Sequence, residues 1–187
     1  MAATPEDLED YLRTLGIAFR TVEHVPLFTV EESQALRGAI PGIHTKNLFV
    51  KDKKGVLFLI VAPEEAVIDL KHLHGRIGAS GRLSFGSADQ LYEVLGVTPG
   101  SVTVFGLMND RTGKVTAVLD ARLVAADAVN GHPLINTRTT TISGADMLKF
   151  VRATGHEPVV LALEASAAKS GLSEGQAPSL GTSEVAG

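Results

Sequence analysis

Lys46 and Asn47 stand directly before an apolar run, Leu48-Phe49-Val50. A lysine there is either a strand-end charge held in water or a cation aimed into a cleft. It shares strand parity with Leu48 and Val50, so it leans toward an internal cleft if those two face the core. Asn47, on the opposite parity, is a polar ligand group or a turn residue. His132 lies in Asn130-Gly-His-Pro-Leu134, where Gly131 and Pro133 fix an irregular backbone around it. Such a loop holds a side chain rigidly, and its unpaired N–H groups can face an anion. An ordinary loop histidine is the alternative. His72 and His74 flank a single leucine and lack a third ligand at matching spacing, so no metal site and no cofactor is expected. Ser80-Gly-Arg82 suits a phosphate contact or a simple turn. Asn109-Asp110 ahead of Gly113 reads most simply as a turn, with a site role as the alternative.

These residues need a frame. Thr4-Pro5-Glu6-Asp7 starts a helix that Gly16 stops. Residues 19–25 read as a strand, and Thr29-Val-Glu-Glu32 as a capping box before a short helix ending near Gly38. Residues 48–51 and 56–62 are two strands joined by the turn Asp52-Lys53-Lys54-Gly55. Both are apolar on both faces, which predicts central places in a sheet. Asp69 caps a helix ending at Gly75. Residues 83–85 form a brief strand. Ser87-Ala-Asp-Gln90 opens a helix that Gly96 ends. Residues 102–105 and 115–119 read as strands joined by a loop, and 137–142 as a Thr-rich strand. Ser143 opens a helix to Thr154, and 159–163 is the last strand. Hairpin-like connections favour an α+β fold with a mixed, largely antiparallel sheet. Residues 1–163 are expected to form one domain, and the Ala/Ser/Gly-rich 164–187 a flexible tail.

The 187-residue chain has no cysteine and a formal net charge of −4. Disulfides, thiolate metal sites and a thiol nucleophile are therefore excluded. The acidic, amphipathic N-terminus is not a secretory signal, and no apolar run reaches membrane-spanning length. From His44 to Arg82, seven Lys/Arg face four acids, a local net of +3. That patch suits a polyanion held at one place, or is a solvated face. No phosphate-loop, dinucleotide-binding or zinc-protease motif occurs. The residues alone reach an α+β domain with a candidate anion-binding cleft.

An ordered set of stretches adds to this. His24-Val-Pro-Leu-Phe-Thr-Val-Glu-Glu32, His44-Thr-Lys-Asn-Leu-Phe-Val-Lys-Asp52, Gly81-Arg-Leu-Ser-Phe85, Gly106-Leu-Met-Asn-Asp110 and Gly131-His-Pro-Leu-Ile-Asn-Thr137 together resemble the YbaK/ProX editing domains over roughly residues 4–163. The resemblance implies a mixed sheet curled toward a barrel with surrounding helices. It implies a cytoplasmic trans-editing hydrolase that deacylates mischarged Ala-tRNA(Pro). The partners would be the tRNA(Pro) acceptor end and, in transient contact, prolyl-tRNA synthetase, with no membrane. A Cys-tRNA(Pro) deacylase and a non-catalytic nucleic-acid-binding module are the alternatives. The cysteine branch usually shows Gly-Gly-x-Ser-Pro where this chain has Gly106-Leu-Met-Asn-Asp110. By resemblance, Lys46 is the essential lysine, with Asn47 and His132 lining the catalytic site. Leu27, Phe28 and Val30 would wall the amino-acid pocket, with Gly106, Asn109, Gly131 and Pro133 also contacting substrate. Lys53, Lys54, Arg76 and Arg82 are the expected tRNA contacts.

Overall fold

A computed structural model of the chain describes residues 1–26 and 30–164. Local signals set several element ends. Helix α1 (Pro5–Thr14) begins where Thr4 Oγ1 accepts from the Asp7 N–H while the Asp7 carboxylate accepts from the Thr4 N–H. The same reciprocal cap, Ser87 with Gln90, starts α4 (Ala88–Leu95), and Gly96 closes it in the left-handed conformation at φ 68°, which glycine adopts without a Cβ penalty. Between them lie β1 (Arg20–Glu23), α2 (Val30–Ala39), β2 (Ile43–Lys51), β3 (Leu57–Pro63), α3 (Leu70–Ile77) and β4 (Ser84–Phe85). Then follow β5 (Val115–Asp120), α5 (Ala121–Val124), β6 (Val129–Gly131), β7 (Arg138–Ile142), α6 (Gly144–Ala153) and β8 (Val159–Leu161). No described helix is long and apolar enough to cross a membrane.

The eight strands form one mixed, open sheet in the order β1-β7-β6-β2-β3-β5-β8, with β4 on β2. β2 and β3 are central, as their two apolar faces predict. The alternation assigns each face. Phe49, Leu59, Val61 and Leu119 pack with Leu8 and Leu12 of α1, Leu95 of α4 and Phe150 of α6. Val50, Phe58, Ile60 and Val118 pack with Leu73 and Ile77 of α3 on the other side. The β2–β3 turn is built on the buried Asp52, whose carboxylate accepts from the Lys54, Val56 and Ser80 N–H groups at 2.8–2.9 Å. Those donors, led by Ser80, hold its carboxyl below the usual carboxylate range.

Three expectations are corrected. Residues 102–105 are not a strand. Val104–Asn109 is a 3-10 segment in which the Thr103 hydroxyl accepts from the Phe105 N–H and the Thr103 carbonyl from the Gly106 N–H. Such local bonds compete with strand pairing. β5 therefore has no hairpin partner before it; it pairs in parallel with β3 and β8. The third helix does not end at Gly75, which stays helical, but at Gly78, which takes φ 73°.

One feature of the sheet makes the site. Along one edge, β2 pairs with β6 only at Ile43 and His44 and with β4 only at Val50 and Lys51. In between, among the described residues, 45–49 have no strand on that side.

Candidate active site

Where β6 parts from β2, a cavity of about 210 Å³ opens. It is smaller than the roughly 300–1,000 Å³ typical of drug-sized ligand sites. Thr45 and Asn47 come from β2, Asn130 and Gly131 from β6, Thr139 from β7, and His132 from the loop after β6. His44, Glu64 and the short 3-10 turn at Pro99–Ser101 complete the wall. β6 is anchored beneath it. The buried Asn130 side chain donates to the Pro41 carbonyl at 3.1 Å and accepts from the Thr141 hydroxyl, while its own carbonyl accepts from the Thr45 hydroxyl at 2.8 Å.

His132 is held in one tautomer. Its Nδ1 lies 3.1 Å from the Arg138 carbonyl, an acceptor only, so Nδ1 carries the proton. In the neutral ring, Nε2 then offers a lone pair. Burial pushes the pKa of His132 below the ordinary histidine value, and positive charge on His24 or His44 acts in the same direction, against the Arg138 carbonyl and Glu64. The loop that carries it is strained. Pro133 is buried, the Leu134 N–H donates to the His132 carbonyl at 2.9 Å, and buried Leu134 sits at φ 69°, a conformation that usually costs a non-glycine residue on the order of 1–3 kcal/mol.

Because the folded-state pKa is depressed, the unfolded chain binds this proton at higher pH than the folded one. Stability contributed by neutral His132 is therefore present above about pH 6.5 and is lost as pH falls below it. His132→Asn is expected to flatten the dependence of melting temperature on pH just below 6.5. An unchanged slope would show that His132 is not the group responsible.

His24, inside a stretch singled out above but not assigned a role, also belongs here. Its Nδ1 is 2.8 Å from the Val25 carbonyl, its Nε2 is 2.9 Å from the Thr139 hydroxyl, and its ring centroid is 6.3 Å from that of His132. Asn47 Oδ1 is buried and makes no hydrogen bond. Among the described lining residues none is Lys or Arg, and Glu64 is the sole carboxylate. Among the described residues, no group of three or more His, Asp or Glu side chains is arranged to hold a metal ion.

The structure thus brings Asn47, Gly131 and His132 together. Lys46 is inside β2 rather than before it, and its side chain follows the parity of Leu48 and Val50, on the α3 side. Its ammonium donates to the Ala66 carbonyl, in the loop after β3. Gly106 and Asn109 do not reach the cavity. Gly106 lies close against α4, where a Cβ would meet Leu95 Cβ at 3.1 Å. Asn109 accepts from the Ala3 N–H and donates to the Leu95 carbonyl, tying the N-terminus to α4. The contacts these two residues make are with α4 and the N-terminus, outside the cavity lining. Pro133 is buried behind His132. Leu27 and Phe28, and the side chain of Val30, lie outside the described residues. Lys53 and Lys54 sit on the β2–β3 turn, beyond the end of β2 at Lys51, which is itself about 13 Å from Asn47 at 3.3 Å per residue. Arg76 and Arg82 are exposed, with Arg76 donating to the Ala162 carbonyl.

Comparison with known proteins fits this geometry. A family model described as "Aminoacyl-tRNA editing domain" matches residues 24–150. The prolyl-tRNA editing protein ProX of Acetoanaerobium sticklandii is 39% identical over 146 residues, covering 78% of this chain and 88% of that one. Prolyl-tRNA synthetase associated domain-containing protein 1 of Danio rerio is 37% identical over 161 residues, covering 85% and 87%. A solved candidate trans-editing enzyme for prolyl tRNA synthetase shares the fold, with TM-score 0.67, 20% identity and coverage of 89% of this chain and 99% of that one.

Proposed function

The chain belongs to the aminoacyl-tRNA editing domain family, and from that premise we propose that it is a prolyl-tRNA editing enzyme that hydrolyses the ester of mischarged Ala-tRNA(Pro). The observation that carries the reading beyond the family is the small cavity where Asn47, Gly131 and His132 meet. Its size suits an aminoacyl group rather than a large ligand. The job has a physical reason. A synthetase pocket built for proline gains only about 1–3 kcal/mol for each methylene that a smaller side chain lacks, so a second site must remove alanine.

In the proposed reaction, water attacks the ester carbonyl, the tetrahedral intermediate collapses, and the bond to the ribose oxygen breaks. That oxygen leaves with a proton as the hydroxyl of the tRNA end. No cysteine exists to form a thioester, and the neighbouring ribose hydroxyl is assigned to assist the water. Neutral His132 accepts a hydrogen bond at Nε2 and orients the substrate, with Asn47 beside it. Backbone N–H groups around Gly131 and the two remaining protons of the Lys46 ammonium are the proposed stabilisers of developing negative charge. Leu27, Phe28 and Val30 are proposed to exclude larger side chains by size. The proposal assigns this work to the cytoplasm, in transient contact with prolyl-tRNA synthetase.

Purified protein should release alanine from Ala-tRNA(Pro) catalytically. Binding without turnover would make it a nucleic-acid-binding module instead. The acceptor stem is expected to run from the cavity toward the basic β2–β3 turn. Neutralising Lys53, Lys54, Arg76 and Arg82 together should weaken tRNA binding. The slope of log affinity against log salt should flatten by about 0.7–0.9 for each phosphate that is no longer neutralised. Unchanged affinity across a salt series would make the patch a solvated face.

A further inference from the structure

Phe85 is the second residue of the two-residue strand β4 and is 63% exposed. A single exposed aromatic means little by itself; its position gives it meaning. Phe85 stands opposite Val50 in the antiparallel β2–β4 pair, and directly opposed side chains share a face. Val50 packs on the α3 side, with half-buried Leu48 against the same cluster, and Lys46 follows the same parity. Lys46, Leu48 and Phe85 therefore form one row on one face. Lys46 and Val50 are about 13 Å apart along the strand at 3.3 Å per residue, and Phe85 is one strand spacing, about 4.8 Å, to the side. The row runs along the edge of β2 that β6 and β4 flank. A substrate that extends past the cavity lining to the Lys46 ammonium continues along this row toward Phe85.

Two cations adjoin the ring. The Lys53 N–H donates to the Ser80 carbonyl at 3.2 Å, and the Lys53 stem lies so close to Gly81 that a Cβ there would meet Lys53 Cδ at 2.9 Å. Arg82 follows directly. Both side chains are exposed, and among the described residues neither is held in an ion pair. The one acid in residues 51–54 and 80–86, Asp52, is buried and bonded to the turn. An exposed ring beside uncommitted cations suits single-stranded nucleic acid, whose bases stack on aromatic faces while its phosphates meet Lys and Arg. Resting on the editing function proposed above, we infer that Phe85 is the platform on which an unpaired base of the tRNA 3′ end stacks, with Lys53 and Arg82 on the adjoining phosphates. Stacking there lays the tRNA end along β2 and presents its ester to Lys46 and the cavity. Every base has a π-face, so this contact sets position rather than the choice of tRNA.

The test measures binding of uncharged tRNA(Pro) to the full chain at one salt concentration, with the tRNA either intact or trimmed of its unpaired 3′ nucleotides. Phe85→Ala should bind the intact tRNA about tenfold more weakly than the wild type, the loss of one stacked base. Phe85→Trp should bind it as tightly as the wild type. On the trimmed tRNA, the wild type and Phe85→Ala should bind equally. Equal binding of intact tRNA by the wild type and Phe85→Ala would overturn the inference. So would a Phe85→Trp variant as weak as Phe85→Ala, or an equal loss on both tRNAs, which is what a folding defect or a contact with the duplex produces. Because the readout is binding, it is separable from the editing reading. The expected pattern without hydrolysis of Ala-tRNA(Pro) would sink the proposed activity and leave the platform, and hydrolysis without any binding effect at Phe85 would sink the platform alone.

Discussion

Lys46→Ala is expected to lower kcat/KM for Ala-tRNA(Pro) by about 10²–10³-fold, the effect of deleting one preorganised donor at a developing oxyanion. An ammonium has three donors, and one is on the Ala66 carbonyl, so two remain for a substrate that extends past the cavity lining to meet them. Its loss strands one carbonyl, at a cost of about 1–3 kcal/mol, which lowers the melting temperature by only some degrees. Turnover and melting must be measured on the same preparation. Near-normal turnover would remove Lys46 from the mechanism, and a collapsed melt would make it a structural residue.

The largest stability effect is expected far from the cavity. Asp110 and His156 are both buried and meet at 3.0 Å. The Thr154 hydroxyl donates to the Val151 carbonyl at 2.7 Å, so it accepts from His156 Nδ1 at 2.9 Å. Nε2 faces a carboxylate, which only accepts. Both ring nitrogens therefore donate, and the pair is ionic. The same carboxylate accepts from the Lys114 and Val115 N–H groups. Burial works to raise the Asp110 pKa, but His156 and these N–H groups outweigh it and hold the carboxyl below its ordinary value. Its contribution is thus present above the ordinary carboxylate range and lost as pH falls. Asp110→Ala strands a buried imidazolium and two N–H groups and should cost about 3–5 kcal/mol, a fall in melting temperature on the order of 10 °C. A fall of a degree or less would contradict the ionic assignment.

These two residues show what the sequence disclosed. Lys46 stood out because a cation beside an apolar run is a local signal, but the length of its strand was not. The strand begins at Ile43, and polar His44, Thr45 and Asn47 look like loop residues until β6 pairs with the first and β3 with the other two. The caps at Thr4 and Ser87 were legible because each is complete within four residues. The parallel pairings of β6 with β2 and of β5 with β3 carry no local mark, and β6 is three residues long. The cavity depends on those pairings. It joins Thr45 to Asn130 across 85 residues of chain, so its polar lining could be named in pieces but not assembled. Gly106-Leu-Met-Asn-Asp110 illustrates the reverse. It marks the family, yet its residues pack α4, the N-terminus and His156 rather than the cavity.

The central claim is that this cavity edits alanine on tRNA(Pro). It is tested most directly by single-turnover hydrolysis of Ala-, Cys- and Pro-tRNA(Pro) side by side with the purified chain. The account predicts fast release of alanine, slow release of cysteine, which exceeds alanine by one sulfur atom, and no release of proline above the uncatalysed rate. Cysteine released faster than alanine would move the chain to the cysteine branch, and no hydrolysis of any of the three would contradict the account.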